Sequence, residues 1–342
     1  MGSLGVSDYR GIVSPSYTVC EPIREINRRY FHYLLRSEPY IQIYNSLSYG
    51  VRIGQWELRF HDFKTIKALY PSIPEQTLIA EYLDKKTSQI DTLVEKIERK
   101  IELLKEQRTA LINQCVTKGL DPDVEMKDSG VEWIGGIPKH WNVKNLKHVS
   151  DCVNGFAFQS EDFDKDSDIP VIRIGDINTP IDFDSCVKLP FKFLDRYSEF
   201  TVKKGEILIG LTGGTIGKYC LYDYDNPSLI NQRVCSLISR DSFDPDFLYL
   251  FVSSFLFKHQ IDFNCYGGGQ PNIGKDDLMN FFLATPPKQE QTLIAEYLDK
   301  KVSQIDTFVE NHQAKINLLK EYRQSLISNV VTGKVMVTED MV

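Results

Sequence analysis

Residues 76–95 read QTLIAEYLDKKTSQIDTLVE, and residues 291–310 read QTLIAEYLDKKVSQIDTFVE. The likeness runs on through KIELLKEQRTALINQCVT (100–117) and KINLLKEYRQSLISNVVT (315–332). Roughly two thirds of about forty positions are identical at a constant offset, the mark of an internal repeat. Within the first copy, Ile90, Val94, Ile97, Ile101, Leu104, Arg108, Leu111 and Cys115 are spaced by alternating fours and threes. The second copy repeats the pattern with Ile305, Val309, His312, Ile316, Leu319, Arg323, Leu326 and Val330. This is a heptad seam, and it predicts a long helix in each copy. Forty residues of helix extend about 60 Å and cannot bury such a stripe alone. The economical solution is an antiparallel pairing of the two copies. Arg108 and Arg323 fall at the same register of the seam. They either reach out of it or pair with a facing carboxylate, or they fix the register.

Around this repeat, the 342 residues suggest two or three domains. An apolar fraction of 42% supports a sizeable core. No apolar run approaches the roughly 18 residues that cross a bilayer, and MGSLGVSDYRG lacks a signal-peptide core. The expectation is a cytoplasmic chain with no membrane partner. Its seven cysteines are scattered with no paired spacing, as in a reduced compartment. A net charge of −7 argues against gripping nucleic acid through overall electrostatics, but leaves room for a local basic face.

The sequence divides into residues 1–75, a long helix over 76–117, a Gly-, Pro- and Asp-rich linker over 118–140, a globular segment over 141–288, a second long helix over 289–332 and a tail over 333–342. In the first part, YRGIVSPSYTV (9–19) reads as a turn and strand, RRYFHYLLRS (28–37) as a helix and YGVRIGQWELRF (49–60) as a hairpin or loop-strand. In the large segment, VIRIGDI (171–177), EILIGLTG (206–213), KYCLYDY (218–224) and RVCSLIS (233–239) read as strands, and 243–261 as one helix. FLYLFVSS (247–254) echoes FHYLLRSE (31–38), and CYGGG (265–269) echoes SYGVR (48–52). The larger repeat is therefore a globular segment followed by a long helix, twice, and the front half of the second globular segment, opening with WIGGIPKHWNVKNLKHV (133–149), is expected to have no counterpart in the first copy. The class is α+β.

Little in the sequence is catalytic. LTGGTIGK (211–218) fails as a P-loop, because Thr212 stands where a glycine is required and Tyr219 follows Lys218. PDVEMK superficially resembles a nuclease pattern, but only Val124 separates Asp123 from Glu125, which cannot then come from two strands. The polar loops are instead suited to binding. Arg173, Thr212, Gly213, Thr215, Lys218, Gln232, Arg233, Gln270, Asn272 and Lys275 offer amides, hydroxyls, cations and unobstructed backbone N–H groups. Asn and Gln suit adenine, and Arg and Lys suit guanine or phosphate. Taken singly, these glycines also serve tight turns and the amides cap them. The segment holds more acidic than basic residues, so any nucleic-acid face is local.

Several of these stretches together resemble the specificity subunits of type I restriction–modification systems. The duplicated IAEYLDKK…SQIDT…LLKE…LI…VT resembles that family's long-helix regions. DPDVEMKDSGVEWIGGIPKHW, GFAFQSEDF, IPVIRIGDI, GEILIGLTGGTIGK, NQRV and GGGQPNI resemble its target recognition domains, and VVTGKV resembles its close. The resemblance implies a non-enzyme in which two recognition domains, the first partial here, are held apart by two antiparallel helices. Each domain would read half of a bipartite site on double-stranded DNA. The helices would dock methyltransferase subunits, which bind S-adenosylmethionine, and a restriction subunit would join through the complex. This chain would bind no cofactor itself. A second copy or a complementary fragment is a further possible partner. A coiled-coil assembly protein that reads no DNA is the alternative class.

Overall fold

The structure is a computed structural model that describes residues 4–7, 9–14, 17–49, 57–265 and 271–342. Helices α1 (Arg28–Leu35), α2 (Glu38–Leu47), α3 (Phe60–Phe63) and α4 (Ile73–Lys118) come first. Strands β1 (Met126–Asp128), β2 (Gly136–Pro138), β3 (Asn142–Asn145), β4 (Ser150–Asn154), β5 (Ile169–Ile172) and β6 (Val187–Leu189) lead to helix α5 (Lys192–Arg196). Strands β7 (Thr201–Val202), β8 (Glu206–Gly210), β9 (Tyr219–Tyr222), β10 (Ser228–Ile230) and β11 (Val234–Ser239) follow. The chain closes with α6 (Pro245–Val252), α7 (Phe255–Asn264), α8 (Lys275–Met279), β12 (Phe282–Thr285) and α9 (Lys288–Val331). This is the α+β class expected. It forms two compact units, Met1–Leu103 with Thr307–Val342, and Leu104–Asp306, so each long helix contributes to both.

In the first unit, Ile90, Val94, Ile97 and Ile101 are buried with Ile316 and Leu326, and Val309 and Leu319 pack against them. Arg323 reaches across to Asp91, with Nε donating at 2.9 Å and Nη2 at 3.1 Å to the two carboxylate oxygens. Lys320 lies 3.9 Å from Glu98. One partner number rises as the other falls, so the helices run antiparallel here. In the second unit, Arg108 Nε donates to both oxygens of Asp306 at 3.0 and 3.4 Å. Asp91 and Asp306 match at the constant offset of the repeat, as do Arg108 and Arg323, so each unit carries one copy of the same bond. The seam arginines thus pair with facing carboxylates. The four side chains are a third to half exposed, which limits each pair to about 0.5–1 kcal/mol. Double-mutant cycles on Arg108/Asp306 and Arg323/Asp91 are expected to give couplings of that size, falling with added salt.

A second duplicated device anchors the start of each long helix. Gln76 accepts from the Asn27 backbone N–H at 2.9 Å and donates to the Pro71 carbonyl at 2.8 Å. Gln291 accepts from the Asp244 N–H at 2.8 Å and donates to the Pro286 carbonyl at 2.8 Å. Asn27 and Asp244 in turn are the N-caps of α1 and α6. Both glutamines are buried, and truncating Gln291 leaves buried backbone groups unpaired, whereas truncating Gln76 leaves part-buried ones. Gln76→Ala and Gln291→Ala are each expected to cost about 1–3 kcal/mol, read as a shift in the denaturant midpoint.

The second unit holds two four-stranded sheets, ordered β6-β5-β10-β7 and β4-β11-β8-β9. β5 and β10 run parallel, and the other neighbours run antiparallel. Strand β8 is buried along its whole length because both of its faces are covered. Ile207 and Ile209 join a core with Phe247, Phe251, Phe257 and Ile261 of α6 and α7. Leu208, on the opposite face, joins Ile172, Tyr222, Ile230 and Val234. Trp141, fully buried, closes the core and donates its indole N–H to Glu290 at 3.0 Å.

Five sequence expectations change. The 243–261 helix is two helices, because the Ser254 hydroxyl accepts from the Phe257 N–H and starts α7 afresh. This places Ser254 opposite Ser37, the residue at the same position before α2, so residues 30–37 rather than 31–38 match 247–254. The 118–140 stretch is no plain linker, since it forms the β1–β2 hairpin and buries Ile134 and Ile137. Residues 9–14 and 17–19 form no strand and are exposed, because the pairing a strand here would need is nonlocal. In the 171–177 stretch, the strand ends at Ile172 and a 3-10 turn follows over Ile174–Asp176. The hairpin expected over 49–60 lies largely outside the described residues, apart from a bridge between Tyr49 and Glu57.

Candidate nucleic-acid interface

Three polar loops that are far apart in sequence meet where β8 ends and β11 begins. Leu211, one residue past β8, donates its N–H to the Arg233 carbonyl at 2.9 Å and accepts from the Ile273 N–H at 3.0 Å. Thr212 and Asn272 form an antiparallel bridge. Gly213 donates to the Pro271 carbonyl at 2.8 Å. Backbone pairing therefore holds the 211–218, 231–234 and 271–275 loops side by side.

Thr215, Gln232, Arg233, Asn272 and Lys275 are exposed in these loops. They present a hydroxyl, two amides and two cations on a backbone fixed from below, as direct readout requires. The remaining candidates are committed inward. Gly213 is buried with a φ of +74°, so it serves the turn. Thr212 is half-buried in the bridge to Asn272. Lys218 Nζ donates to Asn178 Oδ1 at 2.7 Å, fastening this loop to the one after β5. Arg173 is held by Asp176, with Nε 3.0 Å from Oδ2, and that carboxylate pushes the guanidinium pKa up. Arg173 braces its own turn, because an acidic partner three residues on captures it before any ligand does. Gln270 lies outside the described residues.

Gly155 is a residue of this region that motif reading does not single out. Its N–H donates to the Val234 carbonyl at 2.9 Å, and the neighbouring Phe156 exchanges bonds with Ile230 and Gln232. A Cβ on Gly155 would lie 2.2 Å from the Asn231 oxygen and 2.4 Å from that of Ile230. The backbone passes so close that only glycine fits, and this contact sets the path of the 231–234 loop. The signal was the glycine in GFAF, but its reason is a nonlocal approach that sequence spacing cannot display.

Among the described residues no group of three His, Cys, Asp or Glu side chains could hold a metal, and no helix is long and apolar enough to cross a membrane. All seven cysteines are free, and burial pushes the Cys115 and Cys220 thiols up to about 11.

The comparison with known families decides the class. The model of the type I restriction modification DNA specificity domain matches residues 1–103 and 138–321. The chain belongs to that family. It is 28% identical over 281 residues to the type I restriction enzyme MjaVIII specificity subunit of Methanocaldococcus jannaschii, which covers 80% of this chain and 63% of that protein. It is 26% identical over 209 residues to the EcoKI specificity subunit of Escherichia coli K12, covering 58% of this chain and 44% of that one. The chain thus spans less than two thirds of the length of these relatives. Among solved structures, one described by complex assembly and conformational transition of the type I R-M system superposes with a TM-score of 0.68 at 16% identity, covering 91% of this chain and 72% of that one. The HsdS subunit from Thermoanaerobacter tengcongensis superposes with a TM-score of 0.53 at 16% identity, covering 90% and 70%. At this identity the two structures establish the fold alone: globular segments, each followed by a long helix.

Proposed function

We propose that the chain is a DNA sequence-recognition subunit of a type I restriction–modification complex, without catalytic activity of its own. The observation that carries this reading is the convergence of the 211–218, 231–234 and 271–275 loops in a segment matched by the DNA specificity model. Thr215, Gln232, Arg233, Asn272 and Lys275, with Gln270 as a further candidate, would read one half of a bipartite site on double-stranded DNA. The paired long helices would dock methyltransferase subunits, and a restriction subunit would join through them. S-adenosylmethionine would bind to the methyltransferase and not to this chain. The working compartment would be the cytoplasm. The net charge of −7 fits this division of labour, since the partners would supply much of the phosphate contact.

The test is footprinting with the cognate methyltransferase subunit over a salt series. A sequence-specific protected half-site whose affinity falls steeply with salt is the expected result. Binding of the methyltransferase with no footprint would instead favour an assembly protein that reads no DNA.

A further inference from the structure

The first unit contains a cavity of about 260 Å³ lined by His32, Arg36, Glu38, Ile41, Arg323 and Ile327, among others. The repeat matches its positions to the second unit: His32 to Tyr249, Arg36 to Ser253, Glu38 to Phe255 and Arg323 to Arg108. There the matching seat holds a tyrosyl ring. The Tyr219 ring packs on Tyr249 with centroids 5.9 Å apart. Its hydroxyl hydrogen-bonds the Ser253 side chain, and the Arg108 charge lies near enough to act on it.

Two differences give the seat of the first unit its own chemistry. Arg36 stands where Ser253 meets the tyrosyl hydroxyl, so a second guanidinium joins that of the seam arginine. The start of α2 is also capped less than its counterpart. In the second unit Asn113 Oδ1 accepts from the Phe255 N–H at 2.7 Å. At the matching position Ser328 is shorter, and its Oγ is buried with no hydrogen-bond partner among the described residues, so the matching bond to Glu38 is not made. The N-cap Ser37 turns its hydroxyl to the Leu34 carbonyl at 2.7 Å and makes no side-chain cap bond. Ser37 and Glu38 both line the cavity, so the positive end of a ten-residue helix opens onto it beside the two guanidiniums. The nearby carboxylates are already engaged: Asp91 takes Arg323 through Nε and Nη2, and Glu38 accepts from Gln42 at 3.3 Å. Ile41 and Ile327 supply apolar wall. An apolar cavity of about 150 Å³ already holds benzene, so this one has room for a ring and a charged group.

We infer that this cavity binds a small aromatic carboxylate, with the ring placed as Tyr219 is placed in the second unit and the carboxylate meeting Arg36 and Arg323. A planar carboxylate matches the fork of a guanidinium. A neutral phenol would desolvate the two guanidiniums without supplying a counter-charge. An aliphatic acid would supply the charge but leave the apolar wall and the His32 ring without a partner. The seat belongs to the first unit and the candidate DNA interface to the second, so binding here does not depend on DNA reading.

The test titrates the intact chain, without DNA, with benzoate in a calorimeter, using phenol as the ring alone and acetate as the charge alone. The expected result is one saturable site for benzoate, with phenol and acetate each weaker by roughly tenfold or more. Amide exchange over residues 36–41 should slow when benzoate is bound. Arg36→Ser, which copies the second unit, should weaken benzoate by roughly tenfold, and Arg36→Lys should fall between the two because it keeps the charge and loses the fork. Arg36 is exposed, so both variants leave the chain folded. The absence of saturable binding, phenol or acetate binding as tightly as benzoate, or an unchanged affinity in Arg36→Ser would each overturn the inference. A chain that binds benzoate but leaves no DNA footprint would keep this seat and lose the DNA-recognition role.

Discussion

Gly155→Ala is expected to destabilise the second unit by about 3 kcal/mol or more, a larger effect than for any surface substitution in the chain. The reason is geometric. The added methyl would meet two backbone oxygens, those of Asn231 and Ile230, which cannot rotate away as a side chain can. To make room, the link between the two four-stranded sheets has to separate. That separation breaks the Gly155–Val234 bond and strains the bonds that Phe156 makes to Ile230 and Gln232. Chemical denaturation checks this through a lowered midpoint for the second unit, with Gly175→Ala as the control. A Cβ at Gly175 meets nothing within 4 Å, so its midpoint should barely move.

The second large effect concerns the loops. Replacing Arg233 and Lys275 together by alanine is expected to weaken DNA binding of the assembled complex by tenfold or more at moderate salt. It should also reduce the slope of log K against log salt by about 2, roughly one unit for each cation that meets a phosphate. The fold should be untouched, because both side chains are exposed and the bonds that hold their loops are made by backbone atoms. Lys218→Ala is expected to act differently. It releases the bond to Asn178 and loosens the loop, so its loss should include faster amide exchange over residues 211–218. A salt titration read by fluorescence anisotropy separates the two behaviours.

Much of this architecture is legible in the sequence, for a physical reason. A heptad seam is a local, periodic signal, so the long helices follow from spacing, while the pairing of Arg108 and Arg323 with carboxylates is one of several readings that only the structure decides. The strands β8, β9 and β11 are similarly marked by short apolar runs between glycines and aspartates. What escapes is nonlocal or a matter of a single cap. The break between α6 and α7 depends on one serine hydroxyl turning back onto the Phe257 N–H. The β1–β2 hairpin hides in a Gly- and Asp-rich stretch because its apolar members, Ile134 and Ile137, are few. Residues 9–14 and 17–19 have strand composition, but a strand forms only through nonlocal pairing, which composition does not display. At the site, residue types picked out the three loops, yet only the backbone shows that Leu211 joins them. Arg173 misleads because its partner, Asp176, sits three residues away and takes up its charge.

The claim that these loops read sequence is tested most directly by selecting duplexes from a random library with the methyltransferase-bound chain and with its Asn272→Ala and Gln232→Ala variants. The account predicts a defined half-site for the unaltered chain. It predicts relaxed preference at one or two positions in each variant, at a cost of about 1–3 kcal/mol of discrimination. An identical selected sequence from all three proteins would contradict it.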